Sequence, residues 1–234
     1  MKRLAVASLI SVISMGIAWS APARPKPADD LDAVLDRIDR AGAAFRSMSA
    51  KLRRVSHTAV MPNDDNVDSG TVLLKRGRHN DLRMLIDLTE PDPRTVAFQD
   101  HTAEIYYPKI QTVDEYDVSK EKELLEQFFL LGFGTSRAGL EASYRLHLVG
   151  PDTIGGQKCD NLELTPKSKQ VLQHLVKLEM CVADDGYPVQ QKFYLPGGDY
   201  SLATYSDMKI NPDLPDSALK LKLPKNVKRE YPQR

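Results

Sequence analysis

From Leu31 the apolar residues recur at helical spacing. Leu31, Val34, Leu35, Ile38, Ala41, Phe45 and Met48 fall on one face, and this predicts an amphipathic helix capped by Asp29 or Asp30. Acids occupy its first turn, and Arg46, Lys51, Arg53 and Arg54 lie toward or beyond its end, which suits the helix dipole. The period then changes to two. Strands are predicted at 51–60, 70–76, 82–88, 95–99, 103–107 and 111–118. A second set covers 143–149, 158–165, 174–182, 188–195, 199–210 and 218–223. Alternation is cleanest in Tyr144, Leu146 and Leu148 and in Leu219, Leu221 and Leu223. Turn residues separate the runs, as in Gly150-Pro151-Asp152, Asp185-Gly186 and Pro196-Gly197-Gly198. Many short strands with few helices between them predict a mainly β (α+β) domain built as an antiparallel meander.

Residues 120–133 break this rhythm. They read as a helix with Ser119 as a cap, and Leu124, Leu125, Phe128, Phe129, Leu131 and Phe133 are too apolar for a surface connector. Inserted in mid-sheet, this helix is expected to lie across the open face of the sheet beside the first one.

The N-terminus carries a different pattern. Lys2 and Arg3 precede an apolar run from Leu4 to Ala18, and Ala18 and Ser20 are small residues at −3 and −1 of a cut before Ala21. That layout predicts a cleaved signal peptide over 1–20. The run is shorter than the ~20 residues of a membrane span. No cysteine stands before Cys159, so no lipid anchor is expected, and the reading is a soluble periplasmic protein. Pro-rich residues 21–29 follow as a flexible linker, 30–227 form a single domain, and 228–234 are a C-terminal tail.

Charge excludes one partner class. The chain has 32 basic and 32 acidic residues, and a leader carrying Lys2 and Arg3 leaves the exported chain at net −2. Without a basic cluster, a nucleic-acid partner is not expected. Catalytic spacing is also missing. There is no Gly-x-Ser-x-Gly elbow, His-Glu-x-x-His helix or phosphate loop, and His57, His79, His101, His147 and His174 are scattered. Glu104 and Asp114, on neighbouring predicted strands, are the candidate carboxylate pair, but a solvated sheet face is the default reading. The chain is therefore expected to be no enzyme, with no cofactor and no metal.

Cys159 and Cys181 are the only cysteines. In an oxidising compartment a pair is expected to be bridged. An antiparallel hairpin that sets 159 opposite 181 places both sulfurs on the polar face and Leu162, Leu164, Leu178 and Met180 on the other.

Several segments together resemble the periplasmic outer-membrane lipoprotein carrier family, the LolA-like proteins. Gly70-Thr71-Val72-Leu73-Leu74-Lys75-Arg76 is similar to the family's Gly-x-apolar-x-apolar-Lys-Arg strand. Ile105-Tyr106-Tyr107-Pro108 resembles its aromatic-x-Tyr-x-Pro segment, and Leu164-Thr165-Pro166-Lys167 its Leu-Thr-Pro-Lys. Asn211 to Leu214 and the run from Leu219 to Val227 resemble its closing loop, last strand and tail. Gly77 stands where the family has Pro after Arg76, and Asp100-His101 where it has Asp-Gly.

The resemblance implies an incomplete antiparallel β-barrel, a strongly curved sheet covered by helices, whose cavity takes acyl chains. It implies a monomeric carrier that shuttles lipoproteins or lipids toward the outer membrane, between an inner-membrane donor and an outer-membrane acceptor. The alternative is a sensor module of the same fold that contacts a regulatory protein. By resemblance Arg76 is the lid latch, bonding to backbone carbonyls of the lid. By alternation or helical face, the cavity candidates are Leu82, Met84, Ile86, Tyr106, Phe128, Phe129 and Phe133.

Overall fold

A computed structural model describes residues 31–77, 81–120 and 130–233. The expected signal peptide and linker, most of the predicted second helix and its Phe128 and Phe129 lie outside the described residues.

One helix leads and a single sheet follows. Helix α1 spans Leu31–Ala44. Strands β1 (Ser47–His57), β2 (Asn66–Arg76), β3 (Leu82–Glu90), β4 (Arg94–Gln99), β5 (Thr102–Tyr107) and β6 (Thr112–Asp117) form consecutive hairpins. Helix α2 (Arg137–Ser143) leads into β7 (Tyr144–Ile154) and β8 (Gln157–Pro166). A single turn, α3 (Lys169–Leu172), precedes β9 (Lys177–Ala183), β10 (Pro188–Tyr194) and β11 (Tyr200–Ile210). A short β12 (Lys228–Glu230) closes the chain. The sheet order is β12-β6-β5-β4-β3-β2-β1-β11-β10-β9-β8-β7. Every pairing is antiparallel except β12 with β6. Since β12 and β7 are the two edges, the sheet does not close on itself. No described helix is long and apolar enough to cross a membrane.

Register explains the curvature. Shifts in pairing occur at Ser49/Lys51 of β1, Ser69/Gly70 of β2 and Leu148/Gly150 of β7. Such bulges bend a strand and increase its twist. Gly70 is required at its bulge, because a Cβ there would lie 2.0 Å from the Asp87 carbonyl oxygen.

Helix α1 lies on the concave face. Val34, Leu35 and Ile38 are buried against Leu140, Leu162, Leu164, Leu178 and Met180. Ala41 and Phe45 continue into a second cluster with Met48, Leu74, Leu82, Met84 and Phe133. The helix stops at Ala44, earlier than the spacing implied, and Met48 belongs to β1. Both periods fit Met48, since Met48, Ala50 and Leu52 are buried at period two within β1, while Phe45 reaches the core from the connection between α1 and β1.

Several expectations are corrected. Residues 218–223 are no strand. Asp216–Leu219 is a 3-10 turn whose Leu219 is buried, and the place beside β6 is taken by β12, within the segment read as a tail. Glu104 faces Glu115, while Asp114 pairs with Ile105 and so lies on the other face. Arg229 of β12 bridges Glu104 and Glu115 at 2.7 and 2.9 Å, so these carboxylates are held in ion pairs. The disulfide joins Cys159 and Cys181 with Cα atoms 5.4 Å apart. It crosses the ladder diagonally, because Cys159 pairs with Ala183 and Cys181 with Asn161. Both sulfurs share one face as the alternation predicts, but the register is displaced by two residues. The sulfurs are buried with Ala183 and Val189 rather than solvated.

Candidate functional site

The concave face carries a cavity of about 380 Å³. Its floor is built by register. Met48, Leu74 and Met84 stand side by side across β1, β2 and β3, as do Arg54, Ala203 and Gln191 across β1, β11 and β10. Val72 and Ile86 extend the first row and Phe193 and Ser201 the second. Residues so far apart in sequence share one wall because antiparallel pairing keeps partners on the same side of the pleat. Apart from Arg54, His174, Gln191, Ser201 and Tyr205, the lining side chains are apolar.

The roof near Phe133 is tied down by polar groups. Gln191 is buried, and its Nε2 donates to the Leu131 carbonyl at 2.9 Å. The Tyr205 hydroxyl donates to Gln191 Oε1 at 2.8 Å. Burial pushes the Tyr205 hydroxyl far above the usual tyrosine range, so it remains a neutral donor. Phe133 meets Tyr205 edge-to-face with centroids 5.4 Å apart, and Phe45 at 6.1 Å. Tyr187 stacks on the other side of Phe133 and donates to the Ala41 carbonyl at 3.0 Å. The roof segment is therefore hydrogen-bonded to β10 and stacked on Tyr187, which is itself bonded to helix α1.

Arg76, at the end of β2, reaches the same segment. Its Nη2 donates to the Gly134 carbonyl at 2.9 Å. Its Nε is buried with no hydrogen-bond partner among the described residues. Gly134 permits this approach, since a Cβ there would lie 2.3 Å from Nη2.

The other expected residues divide. Met84, Ile86 and Phe133 line the cavity. Leu82 is fully buried in the adjoining core and is not on the cavity wall. Tyr106 lies on the opposite face, because Ala103, three positions earlier, is the one paired with Phe98 and packed on the core. Arg54, Gln191, Tyr205 and His174 were not anticipated. Val189, Gln191 and Phe193 alternate along β10, and a polar residue in such an apolar row is the signal that identifies an inward polar site. No described group of three or more His, Cys, Asp or Glu side chains is placed to hold a metal.

No family model matches the sequence, and no curated protein matches it. Solved structures do. MucB is 14% identical with a TM-score of 0.53, over 85% of this chain and 65% of its own. The chain thus spans about two-thirds of the length of MucB. An uncharacterized conserved protein from Thermus thermophilus is 11% identical with a TM-score of 0.52, over 87% of this chain and 99% of its own. A LolA superfamily protein from Nitrosomonas europaea is 18% identical over 81% of this chain, with a TM-score of 0.40 that carries no argument by itself. The unclosed, bulged antiparallel sheet folded over an apolar cavity, together with the likeness to MucB and the Thermus thermophilus protein, gives this chain the LolA-like fold.

Proposed function

We propose that the protein is an exported, non-enzymatic carrier that holds an acyl chain of a lipoprotein or lipid in the concave cavity. The observation that supports this is the cavity itself. It lies within the ~300–1,000 Å³ range of ligand pockets, though near its lower end, and its wall is predominantly apolar. Each methylene moved there from water gains ~0.8 kcal/mol, so ten of them supply roughly 8 kcal/mol before the cost of association is subtracted. Uptake and release require the roof to move. Arg76 on the Gly134 carbonyl acts in this reading as the latch between the sheet and the segment that precedes α2. The leader directs the protein to the periplasm. The donor and acceptor are membrane proteins on either side, and the carrier is a monomer.

Displacement of a solvatochromic acyl probe tests the reading. A blue-shifted, saturable signal lost on adding a saturated chain is the expected result. A silent probe, together with capture of a stoichiometric protein partner and no lipid, would assign the chain to the regulator-binding alternative.

A further inference from the structure

The cavity carries one permanent charge. Among its described lining residues Arg54 is the only arginine or lysine, and no aspartate or glutamate lines the wall. An unassisted cation beside so much apolar surface is unfavourable, and the structure holds it with a counter-ion placed to one side. Arg54 Nε and Nη2 both donate to Oδ2 of Asp68, at 3.0 and 2.5 Å. Asp68 is completely buried. It also accepts from Arg94 Nη2 through both oxygens, at 3.0 and 2.9 Å. One carboxylate thus serves two guanidiniums, and the group keeps a net charge of +1.

The geometry orients that charge. The Arg54 side chain is 36% exposed, whereas that of Arg94 is 17% exposed and that of Asp68 is sealed. Arg54 Nη1 has no protein partner among the described residues. Arg54 stands beside Ala203 on the cavity floor, three residues from the end of β1, while Met48 and Leu74 lie toward the other end of the strands. The hollow therefore has an apolar end and a cationic end. A guanidinium with two donors fixed and its remaining N–H groups free suits an oxyanion.

We propose that Arg54 is the head-group site of this cavity, and that the ligand is a single-chain amphiphile with an anionic oxygen head, a carboxylate or a phosphate. Its tail runs toward Met48, Leu74 and Phe133. Arg94 and Asp68 are positioning residues that fix the Arg54 fork. This rests on the reading of the cavity as an acyl site and adds the chemistry of the ligand. It favours a free anionic lipid over the neutral acyl end of a lipoprotein.

The test compares ligands of one chain length and different heads on the intact protein. Hexadecanoate, hexadecyl phosphate, hexadecanol and hexadecylamine compete with a neutral acyl probe below their micelle concentrations. Either anion is expected to bind at least roughly tenfold tighter than the alcohol, and the amine weakest, since a charge-assisted hydrogen bond is involved. The tighter of the two anions identifies the head. Raising salt should narrow the gap. Arg54→Met retains the stem volume and leaves Asp68 paired with Arg94. It should lower the affinity of the anions roughly tenfold and leave the alcohol within about twofold. Equal affinity of acid, alcohol and amine for the wild-type protein would overturn the head-group site while leaving the acyl cavity standing. Failure of all four to bind would overturn both. The wild-type comparison decides even if the variant does not fold.

Discussion

Filling the cavity should raise stability while removing binding, and this opposition of signs is difficult to obtain any other way. Ala203 is the residue to enlarge. It lies on β11 at the middle of the floor, between Arg54 on β1 and Gln191 on β10, and lines the hollow. Ala203→Leu adds three carbon atoms pointing into about 380 Å³ of free space. If that space accepts them without strain, each contributes ~0.8 kcal/mol, giving an increment of about 2 kcal/mol. For a domain of this size that is roughly 4–8 °C in Tm. The same carbons occupy the volume an acyl chain needs. Thermal unfolding of both proteins, with and without a saturating acyl probe, reads both effects. The expected result is a higher Tm for the ligand-free variant, together with loss of the rise in Tm that the ligand gives the wild type. Overpacking a filled core costs ~1–3 kcal/mol instead. A lower Tm for Ala203→Leu with probe affinity unchanged would show that the hollow is not where the ligand sits, and would refute the reasoning.

Other perturbations test other parts. Arg76→Leu removes a charge-assisted hydrogen bond worth roughly 1.5–3 kcal/mol from the Gly134 carbonyl. Hydrogen exchange at Phe133 and Gly134, whose amides bond to the Leu130 carbonyl, should accelerate at least tenfold, and the probe should leave faster; unchanged exchange and release would remove the latch. Replacing Cys159 and Cys181 by serine opens a loop with a sequence separation of 22 and should cost ~3 kcal/mol in urea unfolding, with a difference under 1 kcal/mol counting against a structural role. Burial, then the hydrogen bond to Glu179, pushes the Tyr194 hydroxyl up to about 12, and burial raises Tyr205 further. Folded values above the unfolded tyrosine value of about 10 mean this stability is complete below that pH and lost as pH climbs through the folded values. Urea midpoints should hold steady to about pH 10 and then fall, with absorbance at 295 nm reporting the late-ionising tyrosines. Titration of every tyrosine near pH 10 in the folded protein would contradict their burial.

Most strands were legible because period-two alternation is a local property. β8 shows it plainly, with Leu162 and Leu164 fully buried and alternating with the half-buried Asn161 and Glu163. Where alternation failed, a partner was missing. Leu219, Leu221 and Leu223 alternate with lysines, yet no ladder receives them, and only Leu219 is buried. Helix α2 went unread because its seven residues bury only Leu140, although Ser136, which accepts from the Gly139 amide, is a visible cap. The parity of the disulfide was legible, but its two-residue offset depends on how β8 and β9 meet. The site was half legible for the same reason. Met84, Ile86 and Phe133 could be chosen from their own segments. Arg54, Ala203 and Gln191 converge only through the pairing of β1 with β11 and of β11 with β10. Tyr106 follows from alternation along its own strand, but the register of β5 turns it outward.

The most direct measurement is a crystal structure of the protein soaked with an acyl chain brominated at its terminal carbon, with the anomalous signal locating the bromine. The account requires the bromine inside the hollow, near Met48, Leu74 and Phe133. Anomalous density confined to the outer face of the sheet, with the concave side closed by its own side chains, would contradict it.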